Sequence, residues 1–269
     1  MSARGAVDAG MPVIDIRGAD DRFATRTGWL DSRHSFSFGQ HYDPTDTHFG
    51  LLLVNNDDVV APGTGFDTHP HRDMEIVTWV LQGSLVHQDS TGHNGLIYPG
   101  LAQRMSAGRG ILHSEKNDAP GGIEPVHFVQ MWVLPDQDAL EPGYEQLEID
   151  PERLAGGWAT VASGRGGDSD TASIRIRQRD AALHAARLQP GEAVWLPSAP
   201  YVHLYVAAGA VELEGAAGSG VGPLGTGRRS TGRLGTGDAA RVVGADGQRV
   251  VALEAAELLA WEMHSSAAA

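Results

Sequence analysis

Two short histidine motifs restrict what this chain can fold into more than any other feature of its sequence. Residues 69–71 read His-Pro-His and residues 113–115 read His-Ser-Glu, so each motif places two potential metal ligands two positions apart. Residues i and i+2 of a β-strand point to the same face of a sheet, whereas on a helix they diverge. Three imidazoles and one carboxylate are good ligands for a divalent transition metal. The motifs therefore predict a metal site that is built on strands.

Composition excludes several other kinds of site. The 269 residues include no cysteine, which rules out disulfides, thiolate-bound zinc and iron–sulfur clusters. The 20 Lys and Arg against 34 Asp and Glu give a net charge of −14, which repels phosphate backbones, so we expect no direct nucleic-acid binding. The sequence has neither an apolar run of about 18 residues nor an apolar signal-peptide core in residues 1–19. We therefore expect a cytoplasmic protein without membrane contact.

The spacing of apolar residues predicts an all-β fold. Alternating or β-branched runs that are typical of strands occupy residues 76–81, 84–89 and 126–133, and turn residues separate them. After a proline-containing connection the pattern returns at residues 173–178, 194–196, 201–206, 241–243 and 249–253. We interpret the two groups of runs as two β domains of similar size rather than one large barrel.

A glycine-rich segment at residues 215–237 interrupts the second group of runs. Nine of its 23 residues are glycine, and it carries three arginines but no acidic residue. It could be a basic docking loop on an acidic protein, but its composition favours a solvated, flexible insertion.

The residues around both histidine motifs resemble the two cupin motifs. The matching positions are Gly63, His69, His71 and Glu75 for the first motif, and Gly110, His113 and Asn117 for the end of the second. Longer strings resemble one branch of the cupins, the pirin family; these strings are residues 34–40, 69–80, 103–115 and 130–133. The resemblance is dense over residues 12–135 and thin afterwards.

The resemblance implies an all-β protein of two tandem cupin domains, each an antiparallel β-sandwich or jelly-roll barrel. We expect an N-terminal metal-binding domain at residues 1–135, a linker at 136–150, and a degenerate, metal-free C-terminal domain at 151–269 that contains the 215–237 insertion. The histidines of the second half, His184, His203 and His264, form no comparable motif. His203 could be a relic ligand, although an ordinary buried or rim position is the commoner use of such a histidine. We expect a monomer with one metal.

The resemblance also implies the metal ligands, which are His69, His71, His113 and Glu115. In many other cupins the carboxylate comes from the position of Glu75. We favour Glu115 because it shares a strand face with His113, whereas Glu75 lies four residues beyond His71, about 13 Å along an ideal strand. Glu75 is then expected to support the site from behind or to face the core.

The donor set leaves the identity of the metal open. Iron(II) is the metal that the resemblance favours, and an octahedral ion with four protein ligands would keep two positions for water, oxygen or substrate. Zinc could instead be held structurally in a closed tetrahedron. Because the affinity order favours copper, nickel or zinc over iron, Mn, Co, Ni, Cu and Zn remain alternatives.

Three functions follow from the family resemblance and the donor set. The first is a dioxygenase, similar to quercetin 2,3-dioxygenases, that cleaves a small aromatic, flavonol-like substrate with O2 and uses Glu115 as a catalytic proton acceptor. The second is an iron-dependent redox-sensing regulator that binds a protein partner, and the third is a cupin whose metal only stabilises the fold. For the dioxygenase, the candidates for an apolar pocket wall are Phe66, Met105, Phe128 and Trp132, and Gln103 and His127 are candidates for polar groups at its rim or behind the ligands. No spacing argument supports these six residues, and ordinary core packing is the commoner role for the four apolar ones.

Overall fold

The protein is built almost entirely from β-strands. A computed structural model describes residues 11–118, 123–215 and 232–267. The strands of the first half are β1 Val13–Arg17, β2 Phe23–Arg26, β3 Leu30–His34, β4 Leu52–Val60, β5 Thr64–His71, β6 Glu75–Gln82, β7 Leu85–Asp89, β8 Asn94–Ile97, β9 Leu101–Ser106, β10 Ile111–Asn117, β11 Val126–Val133 and β12 Gly143–Glu148. Those of the second half are β13 Ala159–Ser163, β14 Ile174–Arg175, β15 Ala181–Leu188, β16 Ala193–Trp195, β17 Ala199–Ala208, β18 Ala210–Leu213, β19 Arg233–Gly235, β20 Ala239–Ala245, β21 Arg249–Ala252 and β22 Ala256–Met263. The predicted all-β class is confirmed.

Helical structure is confined to short turns among the described residues. One α-helical turn, α1, spans Pro151–Leu154, and 3-10 turns span Ala19–Asp21 and Gly166–Asp168. Asp150 caps α1, because its side chain accepts from the backbone N–H of Glu152 at 3.0 Å. In the described part of the chain no helix is both long enough and apolar enough to cross a membrane.

Each half contains one seven-stranded and one four-stranded sheet. In the first half the large sheet has the order β12-β9-β6-β11-β4-β3-β2, and the small sheet has the order β5-β10-β7-β8. In the second half the orders are β1-β20-β17-β22-β15-β13-β14 and β16-β21-β18-β19. The strand pairs are antiparallel except β13 with β14. Each half is therefore a β-sandwich of unequal sheets.

The two sheets of the first half face each other across an apolar interior. Leu85 of β7 and Ile97 of β8 lie in one buried cluster with Val80 of β6 and Phe128 of β11. Because side chains alternate along a strand, the intervening residues of β6 and β11 face away from this interior. The large sheet is thus buried on both faces, which explains the near-continuous hydrophobic run at residues 126–133.

The outer faces of the two large sheets pack against each other. Trp79 of β6 and Met131 of β11 share a buried cluster with Leu183 of β15, Tyr205 of β17 and Trp261 of β22. This cluster joins the two halves into one core. It also fills the outer face of the first half's large sheet, so a site lined by the histidine motifs cannot lie on that face.

Two strands lie outside the predicted division of the chain. The sequence suggested a linker at residues 136–150, yet β12 within it pairs with β9 at the edge of the first half's large sheet. Strand β1 comes from the N-terminal part but pairs with β20 in the second half's large sheet. Edge strands such as these carry a weak apolar pattern because one side faces solvent. The domain boundaries at residues 135 and 151 stay a prediction.

The glycine-rich segment is described only at its ends. Residues 216–231 lie outside the described residues, while β19 within the predicted segment pairs with β18. The role of the insertion therefore stays a prediction.

His203 of β17 is a buried residue of the interface between the halves. Its side chain is only 1% exposed, and its ring centroid lies 5.9 Å from that of Phe36 and 6.4 Å from that of Phe49. Neither ring nitrogen has a hydrogen-bond partner. Burial, together with repulsion from Arg241, lowers the pKa of His203 to about 3. The histidine is therefore neutral in the folded protein.

This burial predicts a pH dependence of stability. The unfolded chain gains a proton on His203 below about pH 6.5 and the folded chain does not, so the free energy of unfolding falls on acidification by up to about 1.4 kcal/mol per pH unit. We expect His203→Phe to reduce this slope between about pH 6.5 and about pH 5. Stability near pH 7.5 should be unchanged or higher, because two unpartnered nitrogens are removed. Urea denaturation across this range measures the effect, and an unaltered slope would contradict it.

Candidate metal centre

Strand pairing brings the two histidine motifs together at one edge of the small sheet. Strand β5 carries His69 and His71, and β10 carries His113 and Glu115. His113 lies opposite His69 in the antiparallel register, and the register shifts between His113 and Glu115. Because β5 is an edge strand, Pro70 between the two histidines is tolerated. The candidate ligands thus come from two neighbouring strands, as the spacing of the motifs predicted.

The three imidazoles converge on one point. The ring centroids of His69 and His113 are 4.4 Å apart, and that of His71 lies 4.9 and 4.8 Å from them. One nitrogen from each ring lies within 4.8 Å of the others. Burial, reinforced by the neighbouring histidines, lowers the pKa of His71 to about 4 and that of His113 to about 3. Both of these rings are therefore neutral and able to bind a metal near pH 7.

The positions of the ring nitrogens fit a bound cation. His69 Nδ1 lies 2.7 Å from the carbonyl oxygen of Asp67, which can only accept, so Nδ1 donates and the Nε2 of that tautomer is free to bind a metal. His69 Nε2 lies 3.0 Å from His113 Nε2, and two nitrogens bound to one metal at right angles are also about 3 Å apart. His71 Nε2 is buried without a hydrogen-bond partner. A divalent metal would satisfy all three nitrogens.

Glu115 supplies a carboxylate beside the imidazoles. Its side chain is buried, and Gln130 Nε2 lies 2.9 Å from both carboxylate oxygens, to which it donates. Gln130 Oε1 in turn accepts from Trp132 Nε1 at 3.0 Å. These bonds orient the carboxylate and leave lone pairs that could bind a metal or accept a proton. A carboxylate oxygen of Glu115 lies within 4.8 Å of a ring nitrogen of His113, so the three imidazoles and this carboxylate are a donor set that suits a divalent transition metal.

Glu75 faces away from the imidazoles. Its position at the start of β6 places it on the outer face of the large sheet, where it is 1% exposed. Glu75 Oε2 accepts from Ser106 Oγ at 2.9 Å and from the backbone N–H of Arg177, in the second half, at 3.0 Å. Burial raises the pKa of Glu75. Glu75 was expected either to support the site from behind or to face the core. Its side chain lies in the core between the halves.

Two of the predicted pocket residues lie beside the imidazoles, and a third packs in the same cluster as one of them. The Trp132 ring lies 4.8 Å from that of His71, and the Phe66 ring lies 6.4 Å from that of His69. Met105 packs in the same apolar cluster as Trp132. These side chains form an apolar wall beside the candidate ligands.

Phe128 and Gln103 lie inside the sandwich rather than at a rim. Phe128 belongs to the apolar cluster that fills the interior, and its side chain is fully buried. Gln103 is 1% exposed, and its Oε1 has no hydrogen-bond partner.

His127 was expected beside the site, and this expectation is wrong. His127 Nε2 lies 2.6 Å from Asp57 Oδ1, in a cluster that also holds Arg22 and Tyr205. The reason is strand alternation, because His127 stands one position before Phe128, whose side chain points into the sandwich. It therefore points toward the second half.

Of the four candidate ligands, His71 borders a surface groove. The groove has a volume of about 460 Å³ and is lined also by Pro70, Arg72, Ser90, Ile111 and Leu112. Pro70, Ile111 and Leu112 give this groove an apolar lining, and Arg72 is the cationic side chain on it.

The structure adds residues that the sequence reasoning missed. His87 of β7 is fully buried, and its Nδ1 lies 3.5 Å from His113 Nδ1. Gln130, although part of a pirin-like string, was not assigned to the site. The alternation of Leu85, His87 and Asp89 along β7 could have indicated that His87 faces the sandwich interior. The proximity of His87 to His113 could not be predicted in this way, because it depends on the pairing of two strands.

Comparison with known proteins identifies the family. Residues 18–133 match the family Pirin. A Mycobacterium tuberculosis protein named "Putative quercetin 2,3-dioxygenase" is 56% identical over 252 residues, which cover 94% of this chain and 96% of the relative. The chain belongs to the pirin family. This pirin also matches the quercetin 2,3-dioxygenase of Escherichia coli with 48% identity over 138 residues. The matched residues cover 51% of this chain and 59% of the relative.

The pirin fold is shared with a solved structure. Bacterial pirin YhhW of Escherichia coli, in complex with nickel(II), has 32% sequence identity and a TM-score of 0.79, with 94% of this chain and 99% of that chain covered. The expected family and the expected all-β cupin fold are thereby confirmed.

Proposed function

We propose that this pirin is a metal-dependent dioxygenase that cleaves a small aromatic, flavonol-like substrate with O2. The observation that carries the proposal is the convergence of His69, His71 and His113 on a point that a cation would satisfy, beside the carboxylate of Glu115. The names of relatives point to quercetin 2,3-dioxygenase chemistry, and a related pirin binds nickel(II). For this chain we propose iron(II), with Mn, Co, Ni, Cu and Zn as the alternatives to be tested. The cytoplasmic location and the monomeric state stay predictions.

The residues around the centre would have different roles in such a reaction. His69, His71, His113 and Glu115 would hold the metal, which when bound supplies Lewis-acid and redox chemistry toward a substrate hydroxyl and O2. Glu115 would also accept the proton of the flavonol 3-hydroxyl, and the two hydrogen bonds from Gln130, which orient its carboxylate, support this role. In the overall reaction both atoms of O2 enter the products and one ring carbon leaves as carbon monoxide.

Specificity for an aromatic substrate would come from the apolar wall. Trp132, Phe66 and Met105 can pack on aromatic rings and exclude water from the reacting carbons. Arg72 lines the groove that borders His71 and would attract an acidic phenol. These side chains would orient the substrate with its hydroxyl toward the ligands.

Metal reconstitution tests the proposal. Metal-stripped protein is loaded anaerobically with iron(II) and, separately, with Mn, Co, Ni, Cu and Zn, and each form is mixed with quercetin and O2. We expect catalytic loss of flavonol absorbance, with stoichiometric release of carbon monoxide, for at least one metal. Stoichiometric metal binding without turnover would reject the dioxygenase and favour the regulator or the structural alternative. An affinity for a protein partner that differs between iron(II) and iron(III) would then identify the regulator.

A further inference from the structure

A buried chain of polar side chains leads from His113 away from the candidate metal. His113 Nδ1 lies 3.5 Å from His87 Nδ1, and His87 Nε2 lies 3.3 Å from Asp89 Oδ2. The side chains of His87 and Asp89 are 1% and 0% exposed. Asp89 Oδ2 also lies 3.3 Å from Nδ1 of His93, whose side chain is 45% exposed. The chain therefore connects a candidate ligand to the surface.

Pairing of β10 with β7 creates this chain. His113 lies opposite Asp89 and Glu115 lies opposite His87 in the register. Diagonal neighbours on one face of a sheet are within reach of long side chains. His87 can thus contact His113 from behind, on the side opposite His69.

The carboxylate determines the direction of every hydrogen bond in the chain. Asp89 can only accept when ionised, and hydrogen bonds from Thr91, His87 and His93 lower its pKa although burial alone would raise it. His87 Nε2 must then donate to Asp89, and in the tautomer with its single proton on Nε2 the Nδ1 carries a lone pair. That lone pair can only accept, so His113 Nδ1 donates and His113 Nε2 keeps its lone pair. This nitrogen lies 3.0 Å from His69 Nε2, on the side of the candidate metal.

We propose that His87 and Asp89 are positioning residues for the metal: they hold His113 in the tautomer that presents Nε2 and strengthen it as a donor. The proposal rests on the metal-dependent function above. Outer partners of this kind orient metal-bound histidines and raise their basicity, and removing them costs about 10- to 100-fold in metal affinity.

Tyr144 holds the chain in place. Its ring stacks on His87 at 4.8 Å with an interplanar angle of 28°, and on His93 at 5.2 Å with an angle of 20°. The Tyr144 hydroxyl donates to Gln146 Oε1 at 2.7 Å. Tyr144 lies on β12, so an edge strand from the predicted linker contributes to the support of the centre.

A different arrangement would place an ion between His87, His113 and Glu115. These three also offer ligand atoms within 4.8 Å of one another. A neutral His113 has only one lone pair, however, and the side that faces His69 and His71 uses it. A neutral His113 therefore cannot bind the metal beside His69 and His71 and at the same time bind a second ion between His87 and Glu115.

Asp89→Asn tests the proposal with little change in shape. Asn keeps an Oδ1 that accepts from the backbone N–H and the hydroxyl of Thr91 at 2.8 and 2.6 Å. Its amide, however, can donate to His87, which reverses the direction of the hydrogen bonds that link residue 89 to His87 and His87 to His113. We expect nickel(II) affinity, measured by calorimetry on the full chain, to fall about 10- to 100-fold. Long-range proton–nitrogen spectra of the metal-free protein should show protonated Nδ1 on His113 in the wild type and protonated Nε2 in the variant.

Asp43→Asn is the matched control. Asp43 Oδ1 accepts from the backbone N–H and hydroxyl of Thr45 at 2.8 and 2.7 Å in the same kind of turn, and neither bond involves a candidate ligand or one of its hydrogen-bond partners. It should leave nickel(II) affinity and the His113 tautomer unchanged. His87→Gln, which can still accept from His113, should retain more affinity than His87→Phe, which keeps only the ring stacking.

Three results would overturn the positioning role. These are equal affinities for Asp89→Asn and Asp43→Asn, a wild-type His113 that is protonated on Nε2, or two nickel(II) ions bound per chain. A wild-type protein that bound no nickel(II) or other metal would instead overturn the proposed function. The tautomer spectra of the metal-free protein would still decide the positioning role in that case.

Discussion

Glu115→Gln is expected to weaken nickel(II) binding by at least about 100-fold and to abolish flavonol turnover. The effect should exceed the roughly 10- to 100-fold loss caused by removing an outer partner, because a charged ligand itself is lost. The amide also disturbs the two hydrogen bonds that Gln130 donates to the carboxylate. Calorimetric titration with nickel(II), together with a quercetin and O2 assay of the reconstituted protein, measures both effects.

Glu75→Gln is the matched control for this prediction. Glu75 is equally buried, but it binds Ser106 and the backbone of Arg177, and an amide oxygen can still accept from both. Metal affinity should stay within about threefold of the wild type, well inside the range expected even for an outer partner. Loss of metal in Glu75→Gln with retention in Glu115→Gln would show that this chain uses the carboxylate position common in other cupins.

Asp57→Ala is expected to lower the free energy of unfolding by about 3–5 kcal/mol, because it leaves a buried cation without its partner. Asp57 accepts from Tyr205 Oη at 2.5 Å, from His127 Nε2 at 2.6 Å and from Arg22 at 3.1 Å. The Arg22 side chain is only 6% exposed. Since Tyr205 belongs to the second half, the cluster also fastens the two large sheets together. Chemical denaturation at neutral pH measures the loss.

Acid should reproduce part of this loss in the wild type. Burial would raise the pKa of Asp57, but hydrogen bonds from His127 and Tyr205 and the charge of Arg22 hold it at about 2. The stabilisation is therefore complete above the unfolded pKa near 4 and is lost as the pH falls toward 2. Asp57→Ala should lack this acid-dependent component.

Asp31→Ala provides the exposed comparison. Asp31 pairs with Arg26 and Arg33 at 3.2 and 3.3 Å, but its side chain is 48% exposed, and such pairs contribute about 0–1 kcal/mol. Equal stability losses for Asp57→Ala and Asp31→Ala would refute the buried-cluster assignment.

The candidate ligands were within reach of sequence reasoning. A separation of two residues predicts that His69 and His71 share one face of a strand, and that His113 and Glu115 share one face of another. Pro70 between the first two is accommodated because its strand lies at the edge of the sheet. The same periodicity could place Glu75 on a strand start but not decide which face its side chain takes, because that depends on where pairing begins. His127 shows the same limit, since its strand was correctly expected but its side chain points to the second half.

Contacts between distant strands could not be predicted in this way. Gln130 orients Glu115 from another strand, and Tyr144 supports His87 from a segment that the prolines marked as a linker. The Arg22, Asp57 and Tyr205 cluster draws on three separate parts of the chain. In none of these contacts does the local sequence around one residue predict which distant residue it will meet.

By itself the sequence determined the all-β class, the family resemblance and the four candidate ligands, because side-chain alternation is a local property of each strand. The tertiary structure alone decided that β12 covers the first sheet, that β1 joins the second, and that His87 and Asp89 stand behind His113. The physical reason is that hydrogen-bonded register and sheet packing join residues far apart in the chain, and many pairings satisfy the same local pattern. Only the fold selects one of them.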